Sequence, residues 1–194
     1  MERKYLKSLT PLLATCALSA CLGLTGDEQG AYGANADASN ALSNTTFDAV
    51  ETDPTRMPVS GSATYTGYFS ANADLDNDSE DFISIIGDAE LTVNFSGTSG
   101  ASAGTLTGTA DNFVGEDDAP VTGTLTLAGT YADAELTGTV TGDIEIEEGT
   151  VTAEGGFDGT FRGEDAEFFR ANVRTGTLSG ADTGRWNALI TGQR

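Results

Sequence analysis

From Val151 to Phe161 the side chains alternate, and no other feature of the chain restricts its fold as much. Val151, Ala153, Gly155, Phe157, Gly159 and Phe161 hold the odd positions, while Thr150, Thr152, Glu154, Asp158, Thr160 and Arg162 hold even ones. A period of two over that length is a strand with one buried face. Gly163-Glu164-Asp165 supplies turn chemistry, and Phe169, Ala171 and Val173 resume the alternation on a returning strand. At Arg174-Thr175 the phase slips, because Gly176, Leu178 and Gly180 now take the small or apolar slots. One surplus residue on one strand has this effect, so a β-bulge is predicted there.

The same pattern recurs along the chain. Tyr65, Gly67 and Phe69 share one parity, as do Leu91, Val93 and Phe95. Leu106, Gly108 and Ala110 mark a weaker strand, and Leu125, Leu127 and Tyr131 another. The last of these is expected to pair across Ala132-Asp133 with a strand carrying Leu136, Val140, Ile144 and Ile146. Trp186, Ala188 and Ile190 lie on the final strand. About eight strands joined by short turns, with small residues interleaved among large ones, predict an all-β, single eight-stranded antiparallel up-and-down barrel over residues 59–194. Glycines interrupting the apolar face, and a chain ending Gly192-Gln193-Arg194 without an aromatic residue, favour a soluble barrel with its apolar side inward over a membrane-spanning one.

Residues 1–20 have the form of a targeting leader: basic Arg3, Lys4 and Lys7, a short apolar run, then Ser19-Ala20 before Cys21. The run falls short of the roughly 20 apolar residues needed to span a bilayer. Leu18-Ser19-Ala20-Cys21 resembles the bacterial lipobox, which implies cleavage before Cys21 and lipidation of its thiol. Two or three acyl chains make a stable anchor where one does not, so the chain is expected to sit on a membrane through Cys21. Residues 21–58 are rich in Gly, Ala, Asn, Asp, Ser and Thr with little periodicity, and are expected to form a disordered, flexible tether.

The formal charge is −21. Because the leader holds Arg3, Lys4 and Lys7 against Glu2, a net of +2, the remainder carries −23. So acidic a surface repels nucleic acid and anionic head groups. The chain contains no histidine, which removes the Ser-His-Asp and Cys-His devices and the commonest ligand for zinc, copper and haem iron. No catalytic group, resident metal or cofactor is expected, and the chain does not read as an enzyme.

The stretch Gly156-Phe157-Asp158-Gly159-Thr160-Phe161-Arg162-Gly163-Glu164-Asp165-Ala166-Glu167 resembles the C-terminal Gly-x-Phe-x-Gly-x-Phe-x-Gly-x-x-Ala-x-Glu segment of the barrel domains of transferrin-binding protein B. Related surface lipoproteins, factor H-binding protein among them, share that barrel. Gly61-Ser62-Ala63-Thr64-Tyr65-Thr66-Gly67 and Gly87-Asp88-Ala89-Glu90-Leu91-Thr92-Val93-Asn94-Phe95 resemble its opening strands. The resemblance implies a lipoprotein of the outer membrane or cell surface whose barrel binds a protein or an iron source, in iron or solute acquisition. The alternative is a structural or shielding envelope lipoprotein without a specific ligand.

Arg162, Arg170 and Arg174 lie beside Phe168 and Phe169 on the cationic stretch of an acidic domain, the composition of a binding hot spot. They form the candidate ligand face; the competing reading has the arginines pairing with Glu154, Asp158 and Glu167 across strands. Asp74 to Asp81 alternates oxygen ligands as a calcium loop does, but lacks the glycine and the closing glutamate of that motif, so a solvated acidic hairpin is expected. Glu116-Asp117-Asp118 reads as a plain loop. Tyr65 and Tyr131 fall on the inner parity and are expected to pack in the core rather than ligate iron.

Overall fold

The computed structural model describes residues 30–75 and 82–194. Residues 1–29, which include the expected leader and Cys21, and residues 76–81, where the acidic hairpin is expected, lie outside the described residues. Eight strands follow one another in the order β1 (Ser60–Leu75), β2 (Phe82–Thr98), β3 (Ala101–Gly115), β4 (Thr122–Ala132), β5 (Glu135–Ile146), β6 (Gly149–Arg162), β7 (Phe168–Gly180) and β8 (Gly184–Gln193). Each pairs antiparallel with its successor, and β1 pairs with β8 to close the barrel. Closure pairs every strand with two neighbours, which removes the long free edge that makes an open sheet prone to association.

The alternation inferred from the sequence is the inside-outside alternation of this barrel. Tyr65, Phe69, Val93, Leu125, Val140, Phe161 and Ile190 are buried in one continuous core, and the positions that alternate with them are mostly polar and exposed or half-buried, as Thr64, Thr66, Asn94, Thr124, Thr126, Thr139 and Thr160 are. The apolar side faces inward and the polar side outward, the sense of a barrel in water.

Inward glycines sit across from large rings. Gly104 pairs with Tyr131, Gly138 with Phe157, Gly176 with Trp186 and Gly192 with Phe169. A methyl group added at any of these four glycines would collide with the facing ring. Interleaved small and large residues therefore let aromatic side chains lie over the neighbouring strand and fill the barrel. Phe161 is central, its ring centroid 5.5 Å from Tyr131, 5.8 Å from Tyr65 and 6.1 Å from Phe95.

The bulge lies where the phase slips. Gly155 pairs with Gly176 and Phe157 with Val173, while on the other side Val173 pairs with Ala188 and Gly176 with Trp186. Arg174 and Thr175 therefore stand together opposite single residues on both neighbouring strands. A second bulge, not foreseen, sits on β3, where Asn112 and Phe113 oppose Gly87 and Asn112 takes a left-handed backbone at φ 52°. The β4–β5 connection is a two-residue turn as expected, but it is Asp133-Ala134, one residue later than Ala132-Asp133, with Asp133 at φ 59°.

The disordered-tether expectation for residues 21–58 fails over its described part. Residues Ala31–Asp48 form an 18-residue helix, α1, lying against the outside of the barrel, followed by a 3-10 turn at Pro54–Arg56. The stripe that α1 turns to the sheet has helical spacing: Tyr32, Asn35, Ala36, Ser39, Leu42, Ser43 and Thr46 are half-buried or buried along it, with half-buried Gly33 and Ala38 at its margins. Those side chains are mostly small or polar, so no hydrophobic periodicity announces the helix. Its ends are secured by the barrel. The Tyr32 N–H donates to Asp118 Oδ1 at 2.8 Å, and the guanidinium of Arg162 donates to the carbonyls of Phe47 at 3.2 Å and Ala49 at 2.9 Å. An anion at the N-terminus and a cation at the C-terminus both complement the helix dipole.

Residues 50–57 then cross the end of the barrel that carries the β2–β3, β4–β5 and β6–β7 turns. The Thr52 N–H donates to Phe161 O at 3.0 Å, and the Gly163 N–H donates to Val50 O at 2.8 Å. Met57 enters the core at 3% exposure. The folded unit thus begins well before residue 59, and this segment plugs one end of the barrel.

Candidate functional site

Of the five residues of the expected ligand face, Arg162 and Arg170 lie together and line one shallow cleft of about 350 Å³ with Glu51, Asp158 and Asn172, whereas Phe169 and Arg174 lie apart from it. Phe169 points into the barrel, 2% exposed, with its ring 5.6 Å from that of Tyr65; as an inward-facing core residue it cannot offer a surface contact. Phe168 is half-buried. Arg162 lies under the C-terminal end of α1 and also pairs with Glu51 at 3.6 Å. Arg170 donates to Ser43 Oγ at 3.3 Å and sits 5.6 Å from the centroid of the Phe47 ring. Burial and the neighbouring Arg162 lower its pKa from the ordinary guanidinium value. Arg174 stands apart in a bidentate pair with Asp158, both contacts at 3.1 Å. Cross-strand pairing therefore accounts for Arg174, whereas Arg162 and Arg170 are engaged by α1 and the segment after it.

Tyr65 and Tyr131 are core residues. The Tyr65 hydroxyl donates to Ala166 O at 2.6 Å, and burial pushes both phenols above their usual pKa. Among the described residues no group of three or more His, Cys, Asp or Glu is placed to hold a metal ion. Asp118, expected to be part of a plain loop, caps α1 instead.

The opposite end of the barrel holds the site that the geometry builds. Pairing between β3 and β4 stops at Ala110 and Leu125. Beyond that point β3 continues to Gly115 on β2, and β4 follows β5 from Thr122. The seam splays, and the connection between the two strands folds into a 3-10 turn at Glu116–Asp118 followed by Ala119, Pro120 and Val121. A cleft of about 700 Å³ opens between this connection, the start of β2 and the β5–β6 turn. Its floor includes Phe82, Ile83, Ile85, Pro120, Val121 and Ile146, and Phe82 is 54% exposed. Glu116, Glu145, Glu147 and Glu148 also line it.

Beneath the cleft the barrel is nearly full. A gap of about 20 Å³ remains among Phe69, Ile83, Ile85, Leu125, Val151 and Trp186, and Ile83 and Ile85 line both spaces. A cleft of several hundred cubic ångströms, mostly apolar with a few charged groups, has the size and composition of a small-molecule site at a barrel mouth. The sequence gives no local sign of it, because its residues come from three separate stretches brought together by the splayed seam.

No family model, no curated protein and no solved structure matches the chain.

Proposed function

We propose that this chain is a lipid-anchored protein of the bacterial outer membrane or cell surface, held through Cys21, whose barrel binds a partner at its open end and performs no catalysis. The asymmetry of the two ends carries this reading. One end is plugged by residues 50–57 with Met57 in the core, while the other, among the described residues, presents an apolar cleft of about 700 Å³. A partly exposed phenylalanine in such a cleft is surface that a ligand stabilises by covering. The ligand class is an apolar or amphipathic solute, and the role is acquisition of a solute or an iron source, in keeping with the barrel lipoproteins that the strand motifs resemble.

The place of the anchor supports the same reading. Cys21 precedes Gly30 by nine residues, about 30 Å of fully extended chain. The N-terminus of α1 is tied to Asp118, on the connection that walls the cleft. An anchor at Cys21 would keep that end of the barrel within about 30 Å of the lipid-bearing residue. A shielding lipoprotein is the second reading, favoured by the near-filled interior and the acidic outer face.

Two measurements test the proposal. Mass spectrometry of the mature protein should show a chain beginning at Cys21 with an acylated thiol; an unmodified Cys21 contradicts the anchor. A binding screen of the purified protein against haem, ferric complexes and apolar solutes should find a ligand whose affinity drops in Phe82→Asp. Absence of any ligand supports shielding.

A further inference from the structure

We propose that the cleft at the open end takes an amphipathic cation, a ligand with an aliphatic body and one ammonium head. This inference rests on the reading of the cleft as a binding site and specifies its chemistry. The apolar floor formed by Phe82, Val121 and Ile146 matches the aliphatic body. Glu116, Glu145, Glu147 and Glu148 stand beside that floor, and no lysine, arginine or histidine lines the cleft among the described residues.

These carboxylates are also uncompensated. The ion pairs among the described residues use Glu51, Asp158, Glu164 and Asp165, so none of the four cleft glutamates has a cationic partner. Glu145 accepts only a hydroxyl, from Thr150 Oγ1 at 2.5 Å. Like charges gathered around apolar surface repel one another, and a single cation seated between them relieves that repulsion while its tail covers Phe82. An anionic amphiphile of the same length is repelled by the same carboxylates.

The test uses the full chain with Cys21→Ser, so that no lipid competes for the cleft, and three probes with the same octyl chain: octyltrimethylammonium, octyl glucoside and octyl sulfate. Titrations below the micellar range are read by calorimetry and by the fluorescence of Trp186, the single tryptophan, which lines the gap beneath the cleft. Octyltrimethylammonium is expected to bind about fivefold or more tighter than octyl glucoside, since exposed charge pairs are each worth a fraction of a kcal/mol. Octyl sulfate should bind more weakly than the glucoside. The preference should shrink as sodium chloride rises, and it should fall below about twofold in the triple variant Glu145→Gln, Glu147→Gln, Glu148→Gln.

Equal affinity for the cationic and neutral probes, with both weakened by Phe82→Ser, overturns the cation inference and leaves the binding cleft standing. If none of the three binds, or Phe82→Ser changes nothing, the cleft itself is refuted as a site.

Discussion

Arg170 holds its guanidinium 5.6 Å from the centre of the Phe47 ring, a contact between β7 and the last turn of α1. Together with Arg162, which donates to the Phe47 and Ala49 carbonyls, it makes the cationic patch of this acidic barrel the dock of its own N-terminal helix. The helix contributes little apolar surface of its own, its two buried side chains being Ser39 and Thr46. Its attachment therefore depends on polar contacts, at its two ends and at its middle, where Ser39 Oγ lies 2.8 Å from Ser70 Oγ on β1.

Arg162→Ala removes the donor that serves the helix C-terminus. Hydrogen bonds to a charged group are worth about 1.5–3 kcal/mol, so amide exchange over residues 31–48 should accelerate by about tenfold or more. Exchange in the barrel strands should remain slow. Unchanged protection of α1 would show that the helix is held by something else.

Gly176→Ala tests the ring-over-glycine packing at the bulge. The new methyl group would overlap the Trp186 indole, whose Nε1–H donates to Glu154 O and Thr177 O at 3.2 Å each. Overpacking of this kind costs about 1–3 kcal/mol, so the melting temperature should fall by several degrees and the near-ultraviolet dichroism of Trp186 should change. A variant as stable as the parent would mean that Trp186 does not lie over Gly176.

Phe161→Ala empties the centre of the aromatic cluster formed with Tyr65, Phe95 and Tyr131. Such a truncation costs about 3–5 kcal/mol, measurable as a shift in the urea midpoint. A loss below about 1 kcal/mol would be too small for a fully buried ring.

The pH profile should have an unusual shape. The chain has no histidine and no lysine beyond Lys7, so the barrel carries no side chain that ordinarily titrates between the carboxylate and tyrosine ranges. Stability should be flat from about pH 6 to about pH 9. Tyr65 and Tyr131 have phenols raised above their unfolded value by burial. A raised folded-state pKa contributes stability that is fully present below the unfolded pKa of about 10 and is lost as pH rises past it. The urea midpoint should therefore begin to fall near pH 10, and less steeply in Tyr65→Phe. A decline already under way at pH 8 would contradict this assignment.

What the sequence revealed follows from where its signals are local. Alternation from Val151 to Phe161 reports directly which side chains face inward, and the slip at Arg174-Thr175 places the bulge. The β3 bulge leaves the same trace, since buried Ala110 is followed by buried Phe113 with a change of parity, but the weak strand around Leu106 hid it. Helix α1 was not legible because its contact stripe is built from residues such as Asn35, Ser39, Ser43 and Thr46. Arginines beside phenylalanines on β7 suggested a surface for a foreign partner, whereas the partner of Arg162 and Arg170 lies in the same chain over a hundred residues away. The cleft depends on the parting of β3 from β4, a tertiary event without a residue signature.

The most direct test of the account is to map amide chemical shifts on the Cys21→Ser chain while octyltrimethylammonium is titrated in. Binding at the open end predicts shifts concentrated at residues 82–85, 115–122 and 145–148 and at the Trp186 indole, with α1 beyond its first turn and the plug at residues 50–57 unmoved. Shifts gathered around Arg162 and Arg170, or spread evenly over the outer face of the barrel, would contradict it.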